Sequence, residues 1–198
     1  MQRSLFTFAA ALLLAVLLVP AALAARVSVR VEGKTTNVFG ALQTPFEAGT
    51  NLLQALEAAS LRGEFYYHVA TASFGRYVDQ IGRYPAAGAS GWWFKVNGAA
   101  PPVGAENVRL RDGDRVLWYW GTFGGSGGPP TLLLIRRGRN CYRVVAENDA
   151  GADTTASGAV LQVDGRRVRT RSGRACVGRH FGLVRATLPG AVRSNALR

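Results

Sequence analysis

Histidine, cysteine and lysine are all scarce in this 198-residue chain, and each scarcity narrows the chemistry open to it. Nucleophilic hydrolysis needs a base and an orienting group beside the nucleophile. The two histidines are His68, inside an aromatic stretch, and His180, which follows a run of arginines and has no evident partner. Cys141 and Cys176, with His180 apart from them, lack the ligand spacing of a zinc site. Asp112-Gly113-Asp114 is turn chemistry and lacks the oxygen-rich pattern of a calcium loop. The glycine run at 124–128 is followed by neither the lysine nor the helix of a phosphate-cradling loop. The expectation is a protein that is not an enzyme and carries no metal or cofactor.

Long apolar runs are also missing, with one exception. Leu5 to Val19 is almost unbroken, follows Arg3, and ends at Pro20 and the small-x-small pattern Ala22-Leu23-Ala24. Residues 1–24 therefore read as a secretory signal peptide cleaved after Ala24. The alternative is a retained anchor, but a spanning helix needs about 20 apolar residues and this core is shorter. No cysteine at the cleavage site offers a lipid anchor, and no second membrane segment follows. The expected location is secreted, extracellular or at the cell surface, in a bacterial-type setting. Export makes an even cysteine pair a disulfide candidate, Cys141 with Cys176, against the alternative of two free thiols.

With only Lys34 and Lys95 as lysines, the net charge of +12 is an arginine charge. It is uneven. Residues 129–198 hold thirteen arginines against Glu147, Asp149, Asp153 and Asp164, whereas residues 26–128 hold ten basic and eight acidic residues. The basic half suits an acidic cell-surface polymer or anionic lipid heads, or else is only a soluble basic surface. Export argues against nucleic acid as a partner.

What the sequence does have is β patterning and glycine turns. Val27, Val29 and Val31 alternate with Ser28, Arg30 and Glu32, a half-buried strand. Val38 to Leu42 is a weaker one. Thr50 or Asn51 caps one short helix that carries Leu52, Leu53, Leu56 and Ala59 on its apolar face and ends at Gly63. Strand signals follow at Phe65–Val69, Phe74–Gly82, Gly91–Val96 and Arg115–Trp120, with Asn97-Gly98 suited to a tight turn. Gly124 to Pro130 is a flexible linker stiffened at its end by Pro129-Pro130. Beyond it, Thr131–Ile135, Tyr142–Ala146, Ala159–Val163, Arg174–Val177 and Leu183–Ala186 read as short strands of a small β-sandwich.

An ordered set of these segments resembles the transcobalamin-like C-terminal domain family of bacterial secreted and surface proteins. The set comprises Val27–Glu32, Gly49-Thr50 with Leu52, Leu53 and Leu56, and Gly75-Arg76-Tyr77-Val78 with Ile81-Gly82. Gly91-Trp92-Trp93-Phe94-Lys95-Val96-Asn97-Gly98 and Asp112-Gly113-Asp114-Arg115-Val116 with Trp118-Tyr119 complete it. The resemblance covers about residues 26–123 and implies an α+β, β-grasp-like module. In the vitamin carriers of that family this module closes on cobalamin together with a helical domain. No helical barrel is legible here, so a lone module would supply only part of such a cage. Residues 131–198 resemble, more loosely, carboxypeptidase-regulatory-like or prealbumin-like β-sandwich modules. The expected division is thus a signal peptide (1–24), an α+β module (25–123), a linker (124–130) and an all-β sandwich (131–198).

Aromatic residues are the candidates for function. Strand alternation assigns Trp92, Phe94, Trp118 and Trp120 to the core and leaves Trp93, Tyr119 and Tyr84 facing outward. Such a shelf would stack on a small flat ligand, cobalamin-like or a glycan, or on a partner. Alternatively these rings pack under the Tyr84–Ser90 loop, and the modules are structural or adhesive units with no small-molecule ligand.

Overall fold

Val27, Val29 and Val31 do form one side of a strand and bury completely in an apolar core. The computed structural model describes residues 24–73, 75–125 and 127–198. The signal peptide up to residue 23, Phe74 of an expected strand and Ser126 of the expected linker lie outside the described residues. The first part of the chain runs β1 (Arg26–Glu32), β2 (Asn37–Phe39), β3 (Phe46–Glu47), α1 (Leu52–Gly63), β4 (Tyr67–Ala72), β5 (Gly75–Ile81), β6 (Tyr84–Pro85), β7 (Ser90–Val96) and β8 (Arg115–Thr122). The main sheet has the order β2-β1-β8-β7, with β3 added to β1. Its central pair, β1 with β8, is parallel, and β7 runs antiparallel to β8. A separate three-stranded sheet has the order β4-β5-β6.

Helix α1 begins where Asn51, not Thr50, takes the cap. The Asn51 side chain accepts from the Gln54 N–H at 3.0 Å, and the Gln54 side chain accepts in return from the Thr50 N–H at 2.7 Å. Two orphan donors are thereby satisfied reciprocally. Leu52, Ala55, Leu56 and Ala59 bury against the sheet, and Glu64 closes the helix in a left-handed conformation. A helix of this length needs that packing to persist.

The second part runs β9 (Thr131–Gly138), β10 (Cys141–Glu147), β11 (Asp153–Thr155), β12 (Val160–Val163), β13 (Arg166–Arg169), β14 (Arg174–Cys176), β15 (Val184–Thr187) and β16 (Ala196–Leu197). Two four-stranded sheets result, β11-β10-β14 with β9 on β10, and β13-β12-β15-β16. Leu132, Leu134, Val144, Leu161, Val184 and Ala186 fill one core between them. Cys141 and Cys176 stand opposite each other on β10 and β14 and form a disulfide. The described residues are thus mostly β, with several small sheets and one short helix.

The polar side of β1 overturns the half-buried expectation. Ser28, Arg30 and Glu32 are as buried as the valines, because the second part of the chain covers that face. Glu32 receives the Arg185 guanidinium on Oε1, Arg193 Nε at 3.1 Å on Oε2 and Asn37 Nδ2 at 2.9 Å. Arg30 Nη1 donates to the Arg193 carbonyl at 2.8 Å, while its Nε has no partner among the described residues. Burial pulls the Arg30 guanidinium down to about 10, against the nearby Glu32 carboxylate. On β7, Lys95 is fully buried and donates to the carbonyls of Glu147 and Asn148 at 2.9 and 2.8 Å. Burial lowers its ammonium below the usual lysine range, with Asp149 at 3.4 Å opposing.

Two glycine positions show how close the parts come. Gly98 adopts φ +94° in the Asn97-Gly98 turn, and a Cβ there would stand 2.6 Å from Glu147 Oε1, so the Glu147 carboxylate would have to shift. The connection at 124–130 is also tied down. Gly124 and Gly127 bond each other, and the Gly128 N–H donates to Asp149 Oδ2 at 2.8 Å.

Candidate ligand-binding cleft

Strand β7 is the open edge of the main sheet, and a cleft of about 700 Å³ runs beside it. One wall is Ser90 to Phe94 of β7. The opposite wall is Arg76 to Val78 of β5, and the 100–105 segment closes an end. Trp118 and Phe123 complete the lining. The volume lies in the range of small-molecule sites, and the walls are mainly apolar.

Trp93 occupies this cleft as an exposed ring, 47% accessible, as its place on the strand implies. It stacks on Phe123 with centroids 3.9 Å apart and planes 28° apart. The two rings together present a flat face. On the opposite side of β7, Phe94 leans on Trp118 with ring centroids 5.1 Å apart. Trp118 is 1% exposed, and its indole N–H has no partner among the described residues. A buried donor without an acceptor is costly, so the packing around Trp118 carries that penalty.

Tyr119 was expected to face outward, and it does not. It is 1% exposed, packed with Leu117, Val192 and Phe123 beneath the second part of the chain. Burial and the Asp149 charge raise its hydroxyl far above the usual tyrosine range. Strand alternation correctly placed it opposite Trp118, but that opposite face is covered. Tyr84 is half-buried on β6 and lies outside the cleft lining. Its hydroxyl meets Thr35 Oγ1 at 2.8 Å and takes a hydrogen bond from Arg83 Nε at 3.2 Å, which together lower it to about 8. Its carbonyl accepts from Trp92 Nε1 at 2.8 Å, so Tyr84 anchors a wall of the cleft from behind. The structure therefore does not bring the three expected residues together.

The core assignment also shifts. Trp92 and Trp118 are buried as expected, but Phe94 and Trp120 are only half-buried, Phe94 because it lines the cleft. Phe123, Tyr77, Pro101, Pro102 and Val103 line the cleft without having been anticipated. The apolar loop Ala99-Ala100-Pro101-Pro102-Val103 was the available signal, since a water-facing loop has no need of five such residues in succession.

Residues 49–122 match the family model of DUF4430, a domain of unknown function. All of the β7 wall and most of the cleft fall inside that match. Among solved structures, a protein from Ruminococcus gnavus ATCC 29149, described as a candidate metal binding protein, shares 15% identity with a TM-score of 0.39. The similarity covers 50% of this chain and 99% of that one. No curated protein matches the chain.

The histidines sit elsewhere. His68 Nδ1 lies 2.7 Å from Asp79 Oδ1 on the exposed face of β4 and β5. His180 was expected to lack a partner, yet its Nε2 stands 2.9 Å from the Tyr142 hydroxyl and its Nδ1 3.0 Å from the Gly182 carbonyl. Asp112 and Asp114 serve turns, accepting the Arg26 and Arg111 N–H groups at 2.8 Å each. Among the described residues, no group of three or more His, Cys, Asp and Glu side chains gathers to share an ion. None of the described helices is long and apolar enough to cross a membrane.

Proposed function

We propose that this chain is an exported, non-catalytic binding protein that takes a small, flat, largely apolar ligand in the cleft beside β7. The observation that carries this reading is the stacked, exposed Trp93–Phe123 pair lining an apolar cleft of about 700 Å³. Stacking on such a face holds a planar ring, and the apolar walls shield it from water. A corrinoid-like ring edge or a glycan fits that description. The ordered motifs, the family match over 49–122 and a helix packed over a parallel β1–β8 pair support a transcobalamin-like, β-grasp-type module. The carriers' full function does not transfer, because a lone module closes only one side of a cage.

The tight junction between the two parts favours a second reading, in which the pair is a structural or adhesive unit of the cell surface. Titration of the chain from Ala25 with cobinamide and with short oligosaccharides, followed by tryptophan fluorescence, separates the two. The binding reading expects a saturable change and about tenfold weaker affinity for Trp93→Ala. Flat titrations with both ligand classes, alongside retention on isolated cell walls, would favour the structural unit.

A further inference from the structure

The outer face of the β9–β10–β14 sheet carries a row of arginines with no carboxylate set against it. Arg143 on β10 and Arg174 on β14 are direct cross-strand partners, and Arg174 is bridged in turn to Arg171 across the Ser172-Gly173 turn. Directly opposed residues point to the same face. Three guanidinium-bearing side chains therefore stand abreast, spaced by the strand separation of about 4.8 Å. Arg171 and Arg174 are exposed and Arg143 is half-buried. None of the three takes part in an ion pair among the described residues. The nearest carboxylates on that face, Glu147 and Asp153, sit two rows away, and Glu147 is already paired with Arg115.

Like charges directly opposed across a sheet destabilise it, so a row held this firmly calls for an external counter-charge. The row is indeed held. Gly173 adopts φ +70° and its carbonyl accepts from the Val144 N–H at 2.7 Å, while a Cβ there would stand 2.8 Å from the Val144 carbonyl. The turn that presents Arg171 and Arg174 is thereby pinned to β10. The disulfide Cys141–Cys176 pins the next pair along.

The geometry points to this row as a docking surface for a linear phosphate-bearing polymer, its charges laid along Arg171, Arg174 and Arg143. Arginine's planar fork suits phosphate oxygens bidentately. A lipid surface fits less well. Membrane association draws on inserted apolar area as well as charge, and no exposed large hydrophobic residue lies on this face. This site is separate from the cleft, so it stands or falls independently of the ligand proposed there.

The test is calorimetric titration of the chain from Ala25 with inorganic polyphosphate at two salt concentrations. Arg143→Gln with Arg174→Gln should weaken binding at least about tenfold and flatten its salt dependence by about two counterions. Arg109→Gln with Arg111→Gln removes the same charge from two exposed positions in the other part of the chain, and should leave affinity within about twofold. The lysine versions of the first pair should recover part of the loss, and far-ultraviolet circular dichroism confirms that each variant is folded. Equal losses in both glutamine pairs would mean bulk charge alone. Undiminished binding in the first pair, or binding to phosphatidylglycerol vesicles without binding to polyphosphate, would overturn the proposal.

Discussion

The two faces of the main sheet bury residues of opposite chemistry. One face offers Val27, Val29, Val31, Val116 and Trp118 to α1 and its own core. The other offers Arg30, Glu32 and Lys95 to the second part of the chain, with Leu117 and Tyr119 as its apolar share. The first face loses water from surfaces that water never bound well. The second strips hydration from three charges and returns it through ion pairs and carbonyl contacts, with Arg30 Nε left without a partner among the described residues. Apolar burial tolerates imprecision, whereas a buried charge network tolerates none. The junction therefore fixes one relative placement of the two parts, while the α1 face supplies bulk stability.

The sharpest way to break this contrast is Glu32→Ala. Glu32 is 1% exposed and faces Arg30, Arg185 and Arg193. Removing it leaves Arg30, itself 3% exposed, buried without a counter-charge. The expected loss is about 3–5 kcal/mol by urea denaturation. Replacing Arg30 and Glu32 together by methionine should cost less, because the charges left behind, Arg185 and Arg193, are 19% and 22% exposed and can turn to water. A single variant as mild as a surface substitution would show that the network is solvated and the contrast false.

Part of this architecture was legible and part was not, for physical reasons. Period-two alternation reports which residues share a face, and it sorted Trp92 from Trp93 and Trp118 from Tyr119 correctly. It says nothing of what lies beyond a face, so Arg30 and Tyr119 read as solvent-facing until the second part of the chain covered them. Strand β13 is Arg166-Arg167-Val168-Arg169, and one apolar residue in four leaves no β signature, yet pairing with β12 makes it a strand. Asn51 and Thr50 were equal cap candidates from composition, and only the reciprocal Gln54 contact decides. The cleft itself joins β5, β7 and the 100–105 segment, and no local pattern records that meeting. Trp93 was expected to face outward because alternation sets it on the side opposite Trp92, and it does. Phe123 was hidden by its position at the start of a glycine-rich connection.

A comparable effect probes whether the junction couples the two parts. All four tryptophans lie in the first part and the disulfide lies in the second. The bridge closes a separation of 35 residues, for which loop-closure entropy gives about 4 kcal/mol. If the charge network joins the parts into one cooperative unit, Cys141→Ser with Cys176→Ser should lower the urea midpoint seen by tryptophan fluorescence. If that midpoint stays while the circular dichroism transition splits, the two parts unfold separately and the polar face is only a contact.

The smallest effect lies at the margin of the apolar face, where Tyr84 meets Trp120 at 6.1 Å between ring centroids. Its hydroxyl is lowered to about 8, chiefly by the Thr35 contact and then by Arg83. A folded value below the unfolded one means the native chain releases this proton first. Its contribution to stability therefore grows as pH climbs from about 8 towards 10 and is lost as pH falls through about 8. Native protein should show a tyrosinate absorbance step near pH 8 that vanishes in Tyr84→Phe and moves upward in Thr35→Val. Because the Tyr84 carbonyl also holds Trp92 Nε1, the same titration followed by fluorescence tests whether the back of the cleft responds to that charge. A step that survives Tyr84→Phe would assign it to another tyrosine and detach the rim from the apolar face altogether.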